Sequence, residues 1–265
     1  MRKTQVVIEV LDARMPIASS NPLLASMRQK IPCIKVLNKT DLADAATTRS
    51  WHSYFENELG EVCLLNGHDS QLTIKAIVLA ANRLMAKAGA ETAKRQLAIV
   101  GIPNVGKSSL LNQIAERNLA NTGNEPAVTR RQQRVKLDQH WYLVDTPGML
   151  WPKLDDQNAA YRLACTGTIR NTAVEQEDIA WFAAEILLKD HRQRLIDRYQ
   201  MDESVTEAEQ LLEHIARSRG CITKGGRLDW HKTAETLLND FRSGKMGAMS
   251  LETPPVSTPS PILNT

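Results

Sequence analysis

Residues 101–108 read GIPNVGKS, which fits the spacing G-x-x-x-x-G-K-[ST]. That pattern binds phosphate, and each fixed residue has a physical reason to be there. Gly101 and Gly106 permit the tight turn that points successive backbone N–H groups, from Asn104 through Val105, Gly106, Lys107, Ser108 and Ser109, at an anion. A helix opening at Lys107 adds its unpaired N–H groups and dipole. The Lys107 ammonium reaches the β- and γ-phosphates, and the Ser108 hydroxyl is a ligand for Mg²⁺. These residues predict a nucleoside triphosphate site.

A second stretch, Asn38-Lys39-Thr40-Asp41, carries the chemistry to choose the base. A carboxylate at Asp41 can accept from both N1–H and the N2 amine of guanine, a donor pair that adenine lacks. Asn38 can bridge base and phosphate loop, and the Lys39 stem can lie on the ring face. Asn66, at the end of a later strand, marks the loop whose backbone would meet guanine O6. Asp145-Thr146-Pro147-Gly148 supplies an Asp able to hold a Mg²⁺-bound water and a Gly148 N–H for the γ-phosphate. Thr129 lies in the polar run ANTGNEPAVTRRQQR (120–134) beside Arg130, Arg131 and Arg134. It is the candidate second Mg²⁺ ligand and γ-phosphate sensor. The expected metal ligands are thus Ser108, Thr129 and Asp145, and the expected catalytic residues Lys107, Thr129 and Gly148.

These motifs need strands to deliver them to one place. Gln5–Leu11 and Cys33–Leu37 have the β-branched density of buried strands, and Val62–Leu65 and Leu97–Val100 read likewise. Pro16 is expected to stop regular structure after the first strand, leaving Asp12 and Arg14 on a loop at its carboxyl end. Ligands of open α/β sheets bind at that edge. Helical spacing covers Pro22–Lys30, Thr47–Leu59 and Leu72–Ala93, and Ser109–Arg117 continues the phosphate-loop helix. Trp51, Tyr54 and Phe55 are read as core. Arg134–Leu137 and Trp141–Val144 predict a hairpin turning at Asp138-Gln139-His140.

The chain has 265 residues, 42% hydrophobic and 24% charged, with a net charge of +3, as in ordinary globular proteins. Residues 1–150 carry 19 basic and 13 acidic side chains; residues 151–265 carry 14 and 17. The four cysteines, Cys33, Cys63, Cys165 and Cys221, are widely spaced. Their spacing suits a reducing compartment and speaks against structural zinc. Apolar runs such as Val6–Leu11 are too short to span a membrane, so the expected location is cytoplasmic.

The order of the motifs is unusual. In ordinary small GTPases the phosphate loop comes first and N-K-x-D last, whereas here N-K-x-D stands at 38–41, ahead of 101–108 and 145–148. Cutting one exposed loop and joining the old termini would preserve the site. This order, with Asp12-Ala13-Arg14 and Pro126-Ala127-Val128-Thr129, resembles the circularly permuted ribosome-assembly GTPases of the YlqF/RbgA type over nearly the whole chain. The resemblance implies an α/β fold: a circularly permuted P-loop GTPase domain with a mostly parallel sheet, then a small all-helical domain. It implies GTP and GDP as ligands, Mg²⁺ as cofactor, and the large ribosomal subunit or its precursor as partner, bound by a monomer. Potassium-activated relatives carry an Asn at the position of Asn104, which makes K⁺ a second candidate ion. Met149 stands where Ras-like enzymes place a water-orienting Gln, a replacement this family shares. Family members usually begin with a segment containing Pro-Gly-His-Met, whereas this sequence starts Met1-Arg2-Lys3. The expectation is either a truncated chain or slow or differently assisted hydrolysis. The rival expectation is a GTP-dependent RNA-binding module with little turnover; a role in tRNA modification would need an enzyme domain the sequence does not show.

Beyond Trp151-Pro152 the pattern is helical, over Asp178–Lys189, Gln193–Tyr199, Glu207–Arg219 with a capping box at Thr206-x-x-Glu209, and a last helix capped by Asp229 and ending near Gly244. Between the last two, Arg217, Arg219, Lys224, Arg227 and Lys232 face Asp229 alone, and they are the candidate RNA contacts. The expected division is a GTPase domain over 1–152, a helical RNA-binding domain over 153–250 and a disordered tail over 251–265.

Overall fold

The computed structural model describes residues 4–88, 95–122, 134–146, 156–169 and 175–255. Six strands form one sheet: β1 (Val6–Asp12), β2 (Cys33–Asn38), β3 (Val62–Asn66), β4 (Arg95–Val100), β5 (Arg134–Lys136) and β6 (Trp141–Asp145). Their spatial order is β3-β2-β1-β4-β6-β5, and every pairing is parallel except the β5–β6 hairpin. Parallel strands need covered faces, and both are covered. On one side Val6, Ile8, Val10, Ile34 and Ile99 pack with Ile77 and Ala81 of α4 (Ile74–Ala88) and Leu110, Leu111 and Ile114 of α5 (Lys107–Thr122). On the other, Leu11, Leu37 and Cys63 meet Trp51 and Phe55. Trp51 is fully buried and stacks on Phe55 with centroids 5.8 Å apart. These aromatics sit on α3 (Ala45–Ser53) and the π-helical turn Tyr54–Glu58 that extends it.

Two short helices follow β1. Pro16 does not stop structure there; it occupies the first turn of α1 (Pro16–Ser19), where its missing N–H costs nothing. Asn21 then caps α2 (Pro22–Arg28) by accepting from the Leu23 N–H.

A second core lies among α6 (Gln157–Cys165), α7 (Gln176–Asp190), α8 (Arg192–Tyr199), α9 (Ala208–Ser218) and α10 (Trp230–Arg242). Ile179, Ala183 and Leu187 pack there with Leu211, Ile215, Leu237 and Phe241. The capping box of α9 sits one residue later than its sequence signature: Glu207 pairs with Gln210. Asp229 caps α10 as expected, accepting from the Lys232 N–H. Helix α6 joins the two cores, since Leu163 belongs to the sheet's and Ala164 to the helices'. Burial pushes the thiols of Cys33, Cys63 and Cys165 up to about 12, and thiols so far from ionised are poor nucleophiles.

The segment after α10 returns to the sheet. Met249 N–H donates to Leu42 O, Ser250 Oγ accepts from Asp44 N–H, and Leu251 N–H donates to Arg14 O. The Glu252 carboxylate accepts from the N–H groups of Ile17 at 2.9 Å and Ala18 at 3.1 Å, and its carbonyl accepts from Trp51 Nε1. Leu251 and Glu252 therefore have fixed partners, although the sequence assigns them to the tail. Desolvation raises the Glu252 carboxyl above its ordinary value, and the two amides and the nearby Arg162 charge favour its ionised form against that. Glu252→Ala leaves both amides unpaired, and about 1–3 kcal/mol of stability should be lost. Urea unfolding would measure this loss, and hydrogen exchange should show faster exchange confined to Ile17, Ala18 and the 249–252 segment.

Candidate nucleotide site

Because β1, β2, β3, β4 and β6 run parallel, the residues following each of them emerge at one edge of the sheet. This brings together Asp12, Asn38–Asp41, Asn66–Gly67, residues 101–108 and Asp145. The phosphate loop and the N-K-x-D stretch touch directly. Asn38 Nδ2 donates to Val105 O at 2.7 Å, and Lys39 Nζ donates to Asn104 O at 3.0 Å. Lys39 lies in the left-handed region with φ 62°, which turns its side chain back over the loop. The Gly106 backbone passes so close to Asn38 that a Cβ there would lie 2.2 Å from Nδ2. Only glycine lets the two motifs approach this far.

Lys107 is buried and donates to Ile102 O at 2.7 Å. Desolvation lowers the pKa of its ammonium and the nearby Asp145 charge pulls it back up. Ser108 and Ser109 begin α5 with exposed side chains. Asp145 ends β6, and its Oδ1 is buried without a hydrogen-bond partner among the described residues. Thr146 Oγ1 donates to Ile99 O at 2.6 Å, tying the start of the 145–148 segment to β4. Thr129 and Gly148 lie outside the described residues.

Two of the expected residues, Asn66 and Asn104, also brace the surrounding loops through their side chains. The Asn66 amide donates to Asn38 Oδ1 at 2.6 Å and accepts from Leu72 N–H at 2.9 Å, so it braces Asn38. The Asn104 Nδ2 donates to Gly167 O and Thr168 O, both at 3.2 Å, and ties the phosphate loop to the turn after α6. Asp41 is exposed, and one of its carboxylate oxygens accepts the His68 N–H at 3.0 Å.

Gly67 has a tighter role than the sequence suggests. A Cβ there would lie 2.2 Å from Thr40 Oγ1 and 2.8 Å from Asp41 Oδ1. The loop after β3 is thus packed against the Thr40–Asp41 turn, and the close approach is the signal: a glycine directly after a strand that ends beside Asn38.

The five basic candidates of the helical region, Arg217, Arg219, Lys224, Arg227 and Lys232, are all exposed. Ile222 and Leu228 form a β-bridge that presents Lys224 and Arg227 on a turn. Arg219 differs from the rest, since its guanidinium donates to Arg198 O and lies over the Tyr199 ring.

A mostly parallel sheet with a lysine-bearing phosphate loop touching N-K-x-D is the frame of a P-loop GTPase. A family model described as 50S ribosome-binding GTPase matches residues 96–219. Ribosome biogenesis GTPase A of Bacillus cereus is 39% identical over 262 residues, covering 96% of this chain and 88% of that protein. Mitochondrial ribosome-associated GTPase 1 of Mus musculus is 30% identical over 276 residues, covering 95% and 84%. Among solved structures, GDP-bound TM YlqF superposes with a TM-score of 0.67 at 26% identity, covering 96% of each chain. GNP-bound YlqF from T. maritima gives 0.66 at 24%, covering 96% and 94%. The chain belongs to the ribosome biogenesis GTPase A family. No described helix is long and apolar enough to cross a membrane.

Gly67→Ala should displace the Thr40–Asp41 turn. Titration with a fluorescent GDP analogue should show affinity falling by about tenfold or more, a loss of about 1.4 kcal/mol, with far-UV circular dichroism unchanged.

Proposed function

We propose that this chain binds Mg²⁺-GTP at the edge formed by Asn38–Asp41, Asn104–Ser109 and Asp145, hydrolyses it, and uses the change to time its binding to a precursor of the large ribosomal subunit. The observation that carries this is the direct contact between the two motifs, Asn38 to Val105 O and Lys39 to Asn104 O. It puts the residues for base selection and for phosphate binding side by side on a single surface. The arrangement reads as a circular permutation: the family match begins with β4, while the base-selecting turn lies before it. A GTPase domain over 1–152, a helical RNA-binding domain over 153–250 and a tail beyond fit the two cores, with the docked residues through Glu252 belonging to the second.

The residues fit Mg²⁺. Asp145 has a buried oxygen with no partner among the described residues, and the exposed Ser108 hydroxyl begins the same helix as Lys107. Ser108 and Asp145, directly or through water, with Thr129, would hold the ion. Bound Mg²⁺ would neutralise charge on the β- and γ-phosphate oxygens. Lys107 would hold the same phosphates; in this structure its ammonium rests on Ile102 O. Thr129 and Gly148 would sense the γ-phosphate. K⁺ beside Asn104 is the candidate second ion. The exposed basic turn carrying Lys224 and Arg227, with Arg217, Arg219 and Lys232, would contact ribosomal RNA. The relatives' names, ribosome biogenesis GTPase A above all, support this partner.

Phosphate release from GTP, measured with and without large-subunit particles and in K⁺ against Na⁺, tests the reading. Release should be slow alone, faster with particles, and faster in K⁺. Absence of turnover in every condition would leave a GTP-dependent RNA-binding module. Asp41→Asn should weaken GTP binding about 10–150-fold, the loss of a charge-assisted pair worth about 1.5–3 kcal/mol, and should let xanthosine triphosphate compete better. A non-hydrolysable GTP analogue should tighten particle binding relative to GDP by about 5–150-fold. Charge reversal at Lys224 and Arg227 should weaken particle binding in both nucleotide states, as judged by co-sedimentation.

A further inference from the structure

Asp12 belongs to the Asp12-Ala13-Arg14 run at this edge but has no role in the nucleotide site as read from the sequence, yet its carboxylate accepts four hydrogen bonds among the described residues. It ends β1 opposite Asn38 in the β1–β2 register and is fully buried. Its Oδ1 accepts from the Arg14 backbone N–H at 3.1 Å and from Arg14 Nε at 2.9 Å. Its Oδ2 accepts from Arg14 Nη2 at 2.8 Å and from Lys39 Nζ at 3.0 Å. The same Lys39 ammonium reaches Asn104 O at 3.0 Å. Lys39 is therefore tethered twice, once to the strand beside it and once to the phosphate loop. Its backbone is left-handed at φ 62°, a conformation that costs a non-glycine residue energy and persists only where surrounding contacts hold it.

Burial alone would raise the Asp12 carboxyl, but Arg14 and then Lys39 hold it well below the usual carboxylate range. The group is ionised at any working pH, so the tether is permanent. Arg14 closes the back of the network: its guanidinium stacks over Phe241 at 5.4 Å, and its carbonyl accepts the Leu251 N–H. The carboxylate is thus locked in direction as well as charge.

We infer that Asp12 is a positioning residue for the nucleotide site: it fixes the Lys39 side chain across the phosphate loop, in the place where its stem lies on the guanine ring. The inference rests on the reading that residues 38–41 take the base. A lysine side chain has many rotamers, and a ligand that must freeze them binds more weakly than one that finds them set. Loss of Asp12 should therefore weaken every nucleotide that uses the Lys39 stem. Preference for guanine over hypoxanthine should stay unchanged, because the exocyclic amine is read at Asp41.

A double-mutant cycle tests this. Dissociation constants for GDP and IDP would be measured on the full chain for Asp12→Asn, Lys39→Ala and the combination, with thermal stability recorded alongside. Asp12→Asn should weaken GDP about 10–30-fold in the presence of Lys39 and have no further effect in Lys39→Ala, with the GDP-to-IDP ratio constant. Because Asp12→Asn leaves the buried Arg14 unpaired, the same cycle in an Arg14→Met background carries the test if the single variant does not fold. Equal losses with and without Lys39 would overturn the inference and leave the base reading standing. If Lys39→Ala alone leaves GDP binding unchanged, the base reading and the inference fall together.

Discussion

The nucleotide site depends on one side-chain amide. Asn38 ends β2 and spans two loops: its nitrogen donates to Val105 O in the phosphate loop, and its oxygen accepts from Asn66 at the end of β3. An amide is the only common side chain offering both a donor and an acceptor in this fixed geometry. The group is buried, so an unmade bond at either end would cost about 1–3 kcal/mol. Its neighbours are arranged to avoid that loss. Gly106 gives it room, and Asn66 is itself held by Leu72 N–H and Gln113. Three loops far apart in the chain thereby become one rigid surface, before any ligand is considered.

The sheet makes this possible. Parallel pairing of β1 with β2 and β4 sets Asp12 beside Asn38 and sends the phosphate loop out from the same edge. The chain's order does not affect the result, because contacts at a sheet edge depend on which strands are neighbours and not on how they are joined. That is why Asn38–Asp41 can precede residues 101–108 in the sequence and still meet them through 2.7 and 3.0 Å contacts.

How much of this was legible in the sequence follows from how local each signal is. The phosphate loop, the strand–Asn38–Asp41 run and the buried aromatics at Trp51 and Phe55 carry their information in adjacent residues, and the structure has them where the pattern puts them. Pro16 was misleading because proline ends a helix but also begins one, and only the following residues' packing decides. The capping box at α9 sits one residue later than the pattern puts it, with Glu207 as the cap and Gln210 accepting from the N–H groups of both Thr206 and Glu207. The Asn66 amide, which the pattern leaves without a role, turns inward to Asn38, a partner 28 positions away. Asp12 stands at the ligand edge where the pattern puts it, but its bonds to Arg14 and Lys39, like the close packing of Gly67, depend on what lies against it, and no spacing rule reports that. The docking of Ser250–Glu252 was invisible for the same reason: the segment has no periodicity, and its partners are Asp44, Arg14, Ile17, Ala18 and Trp51.

Those partners give the second core a defined connection to the first. The links are polar and directional: Leu251 N–H to Arg14 O, Met249 N–H to Leu42 O, Asn104 Nδ2 to the carbonyls of Gly167 and Thr168. Each ends within two residues of a group at the nucleotide edge, at Asp12, Asp41 or the phosphate loop itself. Apolar contacts tolerate small sliding, but hydrogen bonds lose most of their value when angle or distance drifts. A shift in the phosphate loop would therefore be felt at residues 167–168 as broken or remade bonds. The buried Arg14 sits with Asp12 on one side and the Phe241 ring on the other, so it links the sheet edge to α10. The helical core is held to this edge by groups whose geometry the edge itself sets.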